Sequence, residues 1–258
     1  MGRLSDVFGD EHPVALVTGS GAPRVGNAIV RELAARGYRC AIHANRSLDQ
    51  AQETAAELTA LGNEAIALQA DLTNETELHR LIDQVFAHFG RLDVLVNAAA
   101  IWERKRLEDV TPDDVRRHFE INTLAMFEAS RYGGLRMVAQ PMGGAIINLG
   151  DWASERPYID YAAYFPSKGA VPALTRSLAI ELAGRNPRIR VNAVLPGPVM
   201  LPPDLPLAER NRAIAATLVK REGHPQHIAS AVAFLAENDY VVGQCLTVDG
   251  GRTIYPAG

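Results

Sequence analysis

Short apolar runs alternate with amphipathic stretches from one end of this chain to the other, and that rhythm leaves few folds open. Val14–Thr18, Arg39–His43, Ala65–Gln69, Val94–Asn97, Ala145–Leu149, Ile189–Leu195 and Leu246–Val248 read as strands. Helical periodicity covers Val25–Arg36, Leu48–Leu61, Glu75–Phe89, Pro112–Val138, Tyr161–Arg185 and Pro225–Ala236, with a shorter pattern near Glu209–Val219. Gly37, Gly62 and Gly90 each follow a periodic run, where a helix needs a left-handed stop. Repeated strand-helix alternation implies a Rossmann-type, doubly wound parallel α/β sheet with helices on both faces. No linker or repeat interrupts it, so 1–258 is expected to be one domain, with 1–12 a flexible leading segment. Prolines cluster between Pro196 and Pro206. Segment 198–222 lies beyond the sixth strand, at the sheet edge where ligands bind, and reads as a substrate lid or as an ordinary connection.

With 258 residues and 47% hydrophobic content, the chain can fill one such core. A net charge of −4 gives no reason to expect nucleic acid or an anionic membrane as partner. The N-terminus has no apolar signal region and no run of about 18 apolar residues exists. A cytoplasmic protein acting on a small molecule is the expectation. Cys40 and Cys245 sit in separate strand-like runs and read as buried reduced thiols. The seven histidines form no convincing metal set.

Gly19-Ser-Gly21-Ala-Pro23-Arg24-Val25-Gly26 stands between the first strand and the first long helix. Glycines there let backbone N–H groups approach a pyrophosphate, and the helix N-terminus adds partial positive charge. A tight turn without a ligand is the alternative. After the second strand, Arg46 and Ser47 stand where an NAD enzyme would place an acid. A guanidinium fork and a hydroxyl suit a 2′-phosphate, so NADPH is the expected cofactor, preferred roughly ten- to hundredfold over NADH. Arg46 as a solvated loop charge is the weaker reading. Asn97-Ala98-Ala99-Ala100 ends the fourth strand with small residues that let a cofactor lie against backbone.

Tyr164 and Lys168 stand four apart in a helical stretch and so share one face. An ammonium beside a phenol is expected to lower the phenol's pKa toward that of a working proton donor. Thirteen residues before Tyr164 stands Asp151. A carboxylate cannot donate to a carbonyl and would oppose a developing oxyanion, so it suits a substrate with N–H donors or a ring nitrogen. Asp151 as a simple loop cap is the alternative.

Thr18-Gly19, Tyr164-x-x-x-Lys168, Asn97-Ala-Ala, Pro196-Gly197-Pro-Val199 and Val248-Asp-Gly-Gly251 occur in order. Together they resemble the short-chain dehydrogenase/reductase family across nearly the whole chain. Arg24, His43-x-x-Arg46-Ser47, Trp102 and Asp151 resemble its pteridine reductase branch more particularly. The phosphate loop departs from both patterns by being one residue longer, with Pro23 inside it.

The resemblance implies that Gly19, Gly21, Arg24, Val25, Gly26, His43, Arg46, Ser47, Asp71, Leu72, Asn97, Ala98, Ala99, Tyr164, Lys168, Pro196, Gly197 and Val199 hold NADPH. Within that set Asp71 and Leu72 would border the adenine, and Pro196–Val199 would cover the nicotinamide carboxamide. It implies a substrate held by Arg24, Trp102, Asp151 and Tyr164, with Trp102 stacking on a flat bicyclic ring; a core tryptophan is the alternative for that residue. Asp151, Tyr164, Lys168 and Asn122 would be the catalytic group, Asn122 backing a water-linked proton path to the lysine. The implied reaction is reduction of a dihydropterin or dihydrofolate-like C=N. A 3-oxoacyl-thioester reductase is the alternative activity, and a dinucleotide-binding regulator without turnover a more distant one. A homotetramer is implied by resemblance alone.

Overall fold

A computed structural model describes residues 3–255. Its order is α1 (Leu4–Phe8), β1 (Val14–Val17), α2 (Val25–Ala35), β2 (Arg39–Ala44), α3 (Leu48–Ala60), β3 (Ala65–Gln69), α4 (Glu75–Phe89) and β4 (Val94–Asn97). Then come α5 (Pro112–Phe119), α6 (Ala125–Val138), β5 (Gly144–Leu149), α7 (Tyr164–Gly169), α8 (Val171–Ala183) and β6 (Ile189–Pro196). The chain closes with α9 (Leu207–Ala215), α10 (Pro225–Glu237) and β7 (Cys245–Val248). The strands form one sheet ordered β3-β2-β1-β4-β5-β6-β7, parallel throughout. The expected single-domain Rossmann architecture is therefore the one observed.

Side chains on a strand alternate between faces, and here the alternation sorts two cores. Ala15 and Val17 point to the layer containing Ile29, Leu33, Ile228 and Val232; Val14 and Leu16 point to the layer containing Leu78, Ile82, Met137 and Leu182. Each fully buried Leu, Ile or Val stabilises the fold by about 1.5–3 kcal/mol relative to exposure. Strand order reverses direction between β1 and β4, opening a crevice at the carboxyl edge of the sheet.

Gly37, Gly62 and Gly90 all have positive φ, as stop positions require. Two long helical patterns, however, are broken. Pro112–Val138 divides at a π-helical turn over Glu120–Leu124. Tyr161–Arg185 divides at Gly169–Ala170, because Pro172 has no N–H and its ring would crowd the Lys168 carbonyl.

The leading segment is also more ordered than expected. Phe8 is buried edge-on to Tyr38, and Arg91 donates to the Phe8 carbonyl while pairing with Asp10 and the buried Asp93. An apolar anchor and a shared guanidinium fix residues 3–12; residues 1–2 lie outside the described range. Cys40 is buried and Cys245 only half-buried, both as free thiols, at opposite sides of the sheet. Among the described residues no helix is long and apolar enough to cross a membrane.

Candidate active site

The loop after β1 depends on close backbone contact. A Cβ on Gly19 (φ +64°) would stand 2.7 Å from Ala99 Cα, and one on Gly26 2.5 Å from the Gly19 carbonyl oxygen. Gly21 is closed off in the same way by Ala44 and Ser47. The additional length bulges outward at Pro23 and Arg24, both exposed, and α2 begins after Arg24 without a side-chain cap. This glycine cradle at an uncapped helix start fits a dinucleotide pyrophosphate.

The side chains of several residues expected at the cofactor are engaged within the fold. His43 is buried: its Nδ1 accepts from the Gly19 N–H at 2.9 Å, and its Nε2 lies 3.0 Å from the Ala70 carbonyl, as a donor. Both ring nitrogens are taken, and burial holds its pKa below the ordinary histidine value. His43 is thus a strut tying the phosphate loop to the end of β3. Asn97 is likewise buried, its amide donating to Ser130 and Asn148 at 2.9 Å each. Asn148 in turn reaches Thr175. Asp71 accepts from the N–H and hydroxyl of Thr73, which hold its carboxyl below the usual range, and Leu72 packs against the core.

Other expected contacts stay available. Arg46 is exposed and makes no ion pair or hydrogen bond among the described residues; Ser47 leads into α3 without a capping bond. Ala98 and Ala99 give their N–H groups to the Thr18 hydroxyl, which seats the β4 end against the phosphate loop. Gly197 admits no side chain, since a Cβ would meet Asp249 Cα at 2.3 Å. Val199 pairs with Gly223 in an isolated bridge just beyond β6.

Tyr164 opens α7 and is buried. Its hydroxyl donates to Asp151 Oδ2 at 2.8 Å, while Asp151 Oδ1 accepts from the Ala153 N–H at 2.8 Å. Lys168 Nζ donates to the Leu149 carbonyl at 2.7 Å. Burial pushes the Lys168 pKa down to about 8 and the Asp151 carboxyl above its ordinary value. Tyr164 is raised well above 10, by burial first and then by the Asp151 charge. The expected lowering of the phenol by Lys168 is reversed here, first by burial and then because the carboxylate, not the ammonium, is the tyrosine's direct partner. Ser154, three residues after Asp151, buries its hydroxyl without a partner among the described residues.

Asn122 lies fully buried in the π-helical turn. Its Oδ1 accepts from the Ile101 N–H at 2.8 Å; its Nδ2 donates to the Ile101 carbonyl at 3.0 Å and to Ser167 Oγ at 3.1 Å. The side chain therefore positions the β4 loop against α7. Both N–H donors of the amide are used, while its Oδ1 accepts a single bond.

Trp102 is 42% exposed and stacks on Tyr161 with centroids 4.8 Å apart and planes 11° from parallel. Tyr158, Tyr161, Tyr164 and Phe165 continue the aromatic wall. Tyr161 escaped the sequence reading, although the density of rings between Trp152 and Phe165 was a usable signal. Segment 198–222 holds α9, which buries none of its residues; Arg210 ties its start to Glu222 at 2.5 Å.

A parallel sheet in this strand order, with a glycine cradle after β1 and a buried Tyr-x-x-x-Lys pair beyond β5, defines a dinucleotide-dependent oxidoreductase. The chain belongs to the short-chain dehydrogenase/reductase family. A family model described as enoyl-(acyl carrier protein) reductase matches residues 22–253. A Streptomyces violaceoruber protein named as ketoacyl reductase 2 of the granaticin polyketide synthase is 36% identical, over 93% of this chain and 96% of its own. A hydroxynaphthalene reductase-like protein of Metarhizium brunneum is 34% identical, over 92% and 94%. Among solved structures, a blue fluorescent protein from a metagenomic library, in complex with NADPH, superposes with TM-score 0.85 at 37% identity, covering 93% and 97%. A doubly substituted short-chain dehydrogenase/reductase of Serratia marcescens gives 0.86 at 33%, covering 96% and 99%.

Proposed function

We propose that this oxidoreductase uses NADPH to reduce a carbonyl on a flat ring substrate that carries a neighbouring O–H or N–H donor. The observation carrying this reading is the Tyr164–Asp151 hydrogen bond, with the half-exposed Trp102 ring on the far side of Tyr161 from Tyr164. The relatives are named for ketoacyl and hydroxynaphthalene reduction, which supports a ketone in the reacting position.

The cradle of Gly19, Gly21 and Gly26 with the start of α2 would hold the pyrophosphate, and Arg46 and Ser47 the 2′-phosphate. Pro196–Val199 would lie along the nicotinamide edge. When bound, NADPH supplies the hydride. Tyr164 holds the proton to be given to the substrate oxygen, and its raised pKa keeps that proton in place until the site is charged. Lys168 keeps two of its three N–H donors free for the nicotinamide ribose and the phenol. Asp151 accepts the Tyr164 hydroxyl in the free site; a donor on the ring would take over that acceptor and let the hydroxyl turn to the ketone, whereas a bare ketone would leave the carboxylate repelling the developing oxyanion. Trp102 offers a stacking face.

A second reading, favoured specifically by Asp151, is reduction of a dihydropterin-type C=N, whose ring N–H groups would satisfy the same carboxylate. NADPH-oxidation assays across a tetralone, a hydroxylated naphthol in its keto form, an acetoacetyl thioester and a dihydropterin separate these readings. Turnover of the hydroxylated ketone above the others is expected. Turnover of the dihydropterin alone would overturn the first reading in favour of the second.

We propose further that the chain works as a homo-oligomer. Phe119, Leu124 and Phe127 leave apolar surface exposed along α5 and α6. Light scattering on eluted protein tests this; a monomer at micromolar concentration would sink it.

A further inference from the structure

The Trp102–Tyr161 stack joins two segments far apart in sequence, the loop after β4 and the turn before α7. Stacking alone is not a rigid joint. Two residues past Trp102, Arg104 Nε and Nη2 both donate to Asp160 Oδ2, at 3.0 and 2.9 Å. Next to it, the Lys105 N–H donates to the Asp160 carbonyl at 2.8 Å. Asp160 immediately precedes Tyr161 and sits at φ +72°, a left-handed conformation uncommon outside glycine and tolerated better by Asp and Asn than by most residues. Strained residues persist where the surroundings over-determine them, and three hydrogen bonds on one residue do so here. The remaining arm of the same guanidinium, Nη1, lies 3.7 Å from Glu209 on α9. That helix has no buried residue of its own to seat it.

We propose that Arg104 is a positioning residue. Its fork on Asp160 holds the Trp102–Tyr161 platform in register, and its second arm on Glu209 keeps α9 beside that platform as a wall of the substrate space. The inference rests on Trp102 as the substrate-facing ring, as read above. Its main test reads the ring itself. The Arg104 side chain is 54% exposed and an exposed pair contributes little to folding stability. A purely stabilising role would therefore leave almost no trace, whereas a positioning role appears in substrate binding and in the platform's mobility.

Trp102 and Trp152 are the only tryptophans, so Trp152→Phe leaves Trp102 as sole emitter. In that background, Arg104→Gln is expected to raise acrylamide quenching of Trp102 at least about twofold, with the melting temperature nearly unchanged. In otherwise native protein, Arg104→Gln should raise the KM for the hydroxylated ring ketone about five- to twentyfold, with the NADPH KM unmoved. Asp160→Asn retains the left-handed tolerance and an acceptor, and should recover part of the loss. Asp160→Ala should match or exceed Arg104→Gln, and Glu209→Gln should give the smallest change, about twofold. Unchanged quenching in Arg104→Gln would overturn the proposal, as would equal rises in both KM values. If the native protein reduces none of the ring ketones, the functional reading fails separately, and the quenching result still decides the clasp.

Discussion

Two buried bases stand at carboxyl ends of strands or just beyond them, and they are used in opposite ways. His43, on β2, has both ring nitrogens committed to backbone groups, Gly19 on one side and Ala70 on the other. Lys168, on α7, gives one hydrogen bond to Leu149 and keeps two donors. Burial lowers the pKa of each. Shifted titration therefore does not separate a strut from a working group; unfilled hydrogen-bonding capacity does. The same contrast divides His43 from the Asp151–Tyr164 pair, whose carboxylate still has lone pairs to offer a ligand.

The sharpest way to break the contrast is at the working end. Tyr164→Phe should lower kcat at least about a thousandfold while NADPH still binds, since general acid catalysis accounts for about 10²–10⁴. Lys168→Met should lose about a hundredfold or more in kcat/KM and yet melt higher. Its folded pKa of about 8 lies below the ordinary 10.5, so between those values the unfolded chain holds the extra proton and stability rises with pH. Removing the charge relieves that burial cost, which calorimetry at pH 7 would show as about 2–4 °C for each kcal/mol. A lower melting temperature would mean that the ammonium is more fully compensated than its single bond suggests. In the native enzyme, kcat/KM should fall as pH rises through about 8.

At the strut, His43→Leu should weaken NADPH binding about ten- to hundredfold and destabilise by about 1–3 kcal/mol, because the Gly19 N–H and Ala70 carbonyl lose buried partners. Its kcat at saturating NADPH should hold. Loss of kcat without loss of binding would dissolve the distinction. Arg46→Ala should raise the NADPH KM about tenfold and spare NADH; equal effects would remove the 2′-phosphate assignment. The mildest effect belongs to Asn97→Ala, about 1–3 kcal/mol of stability with near-native kinetics.

The alternation of strands and helices was readable because its period is local; β3, β4 and α4 fall on the expected boundaries. Pairing partners are not local, and the hydrogen-bond partners of the site residues are therefore not legible in the sequence. For His43 the sequence shows a titratable ring at a strand end but not the Gly19 and Ala70 groups that fill both its nitrogens. Tyr164 was expected to be tuned downward because Lys168 is its neighbour in sequence, whereas its neighbour in space is Asp151. For residue 122 the resemblance points to a task at the site. That the task is to hold Ile101 and Ser167 needed the fold.

The π-helical turn at Glu120–Leu124 has a consequence for how this chain can vary. Each such turn accommodates one residue beyond the α-helical count, and one residue is about 100° of rotation. α5 and α6 are thus out of phase along one apparently continuous pattern. Deleting a single residue there would return an ordinary helix while swinging either the Asn122 amide off Ile101 or the Met126–Met137 face off the core. Length within 120–124 is therefore as constrained as composition, and variation by insertion or deletion should be tolerated in the loops flanking this segment before it is tolerated inside it.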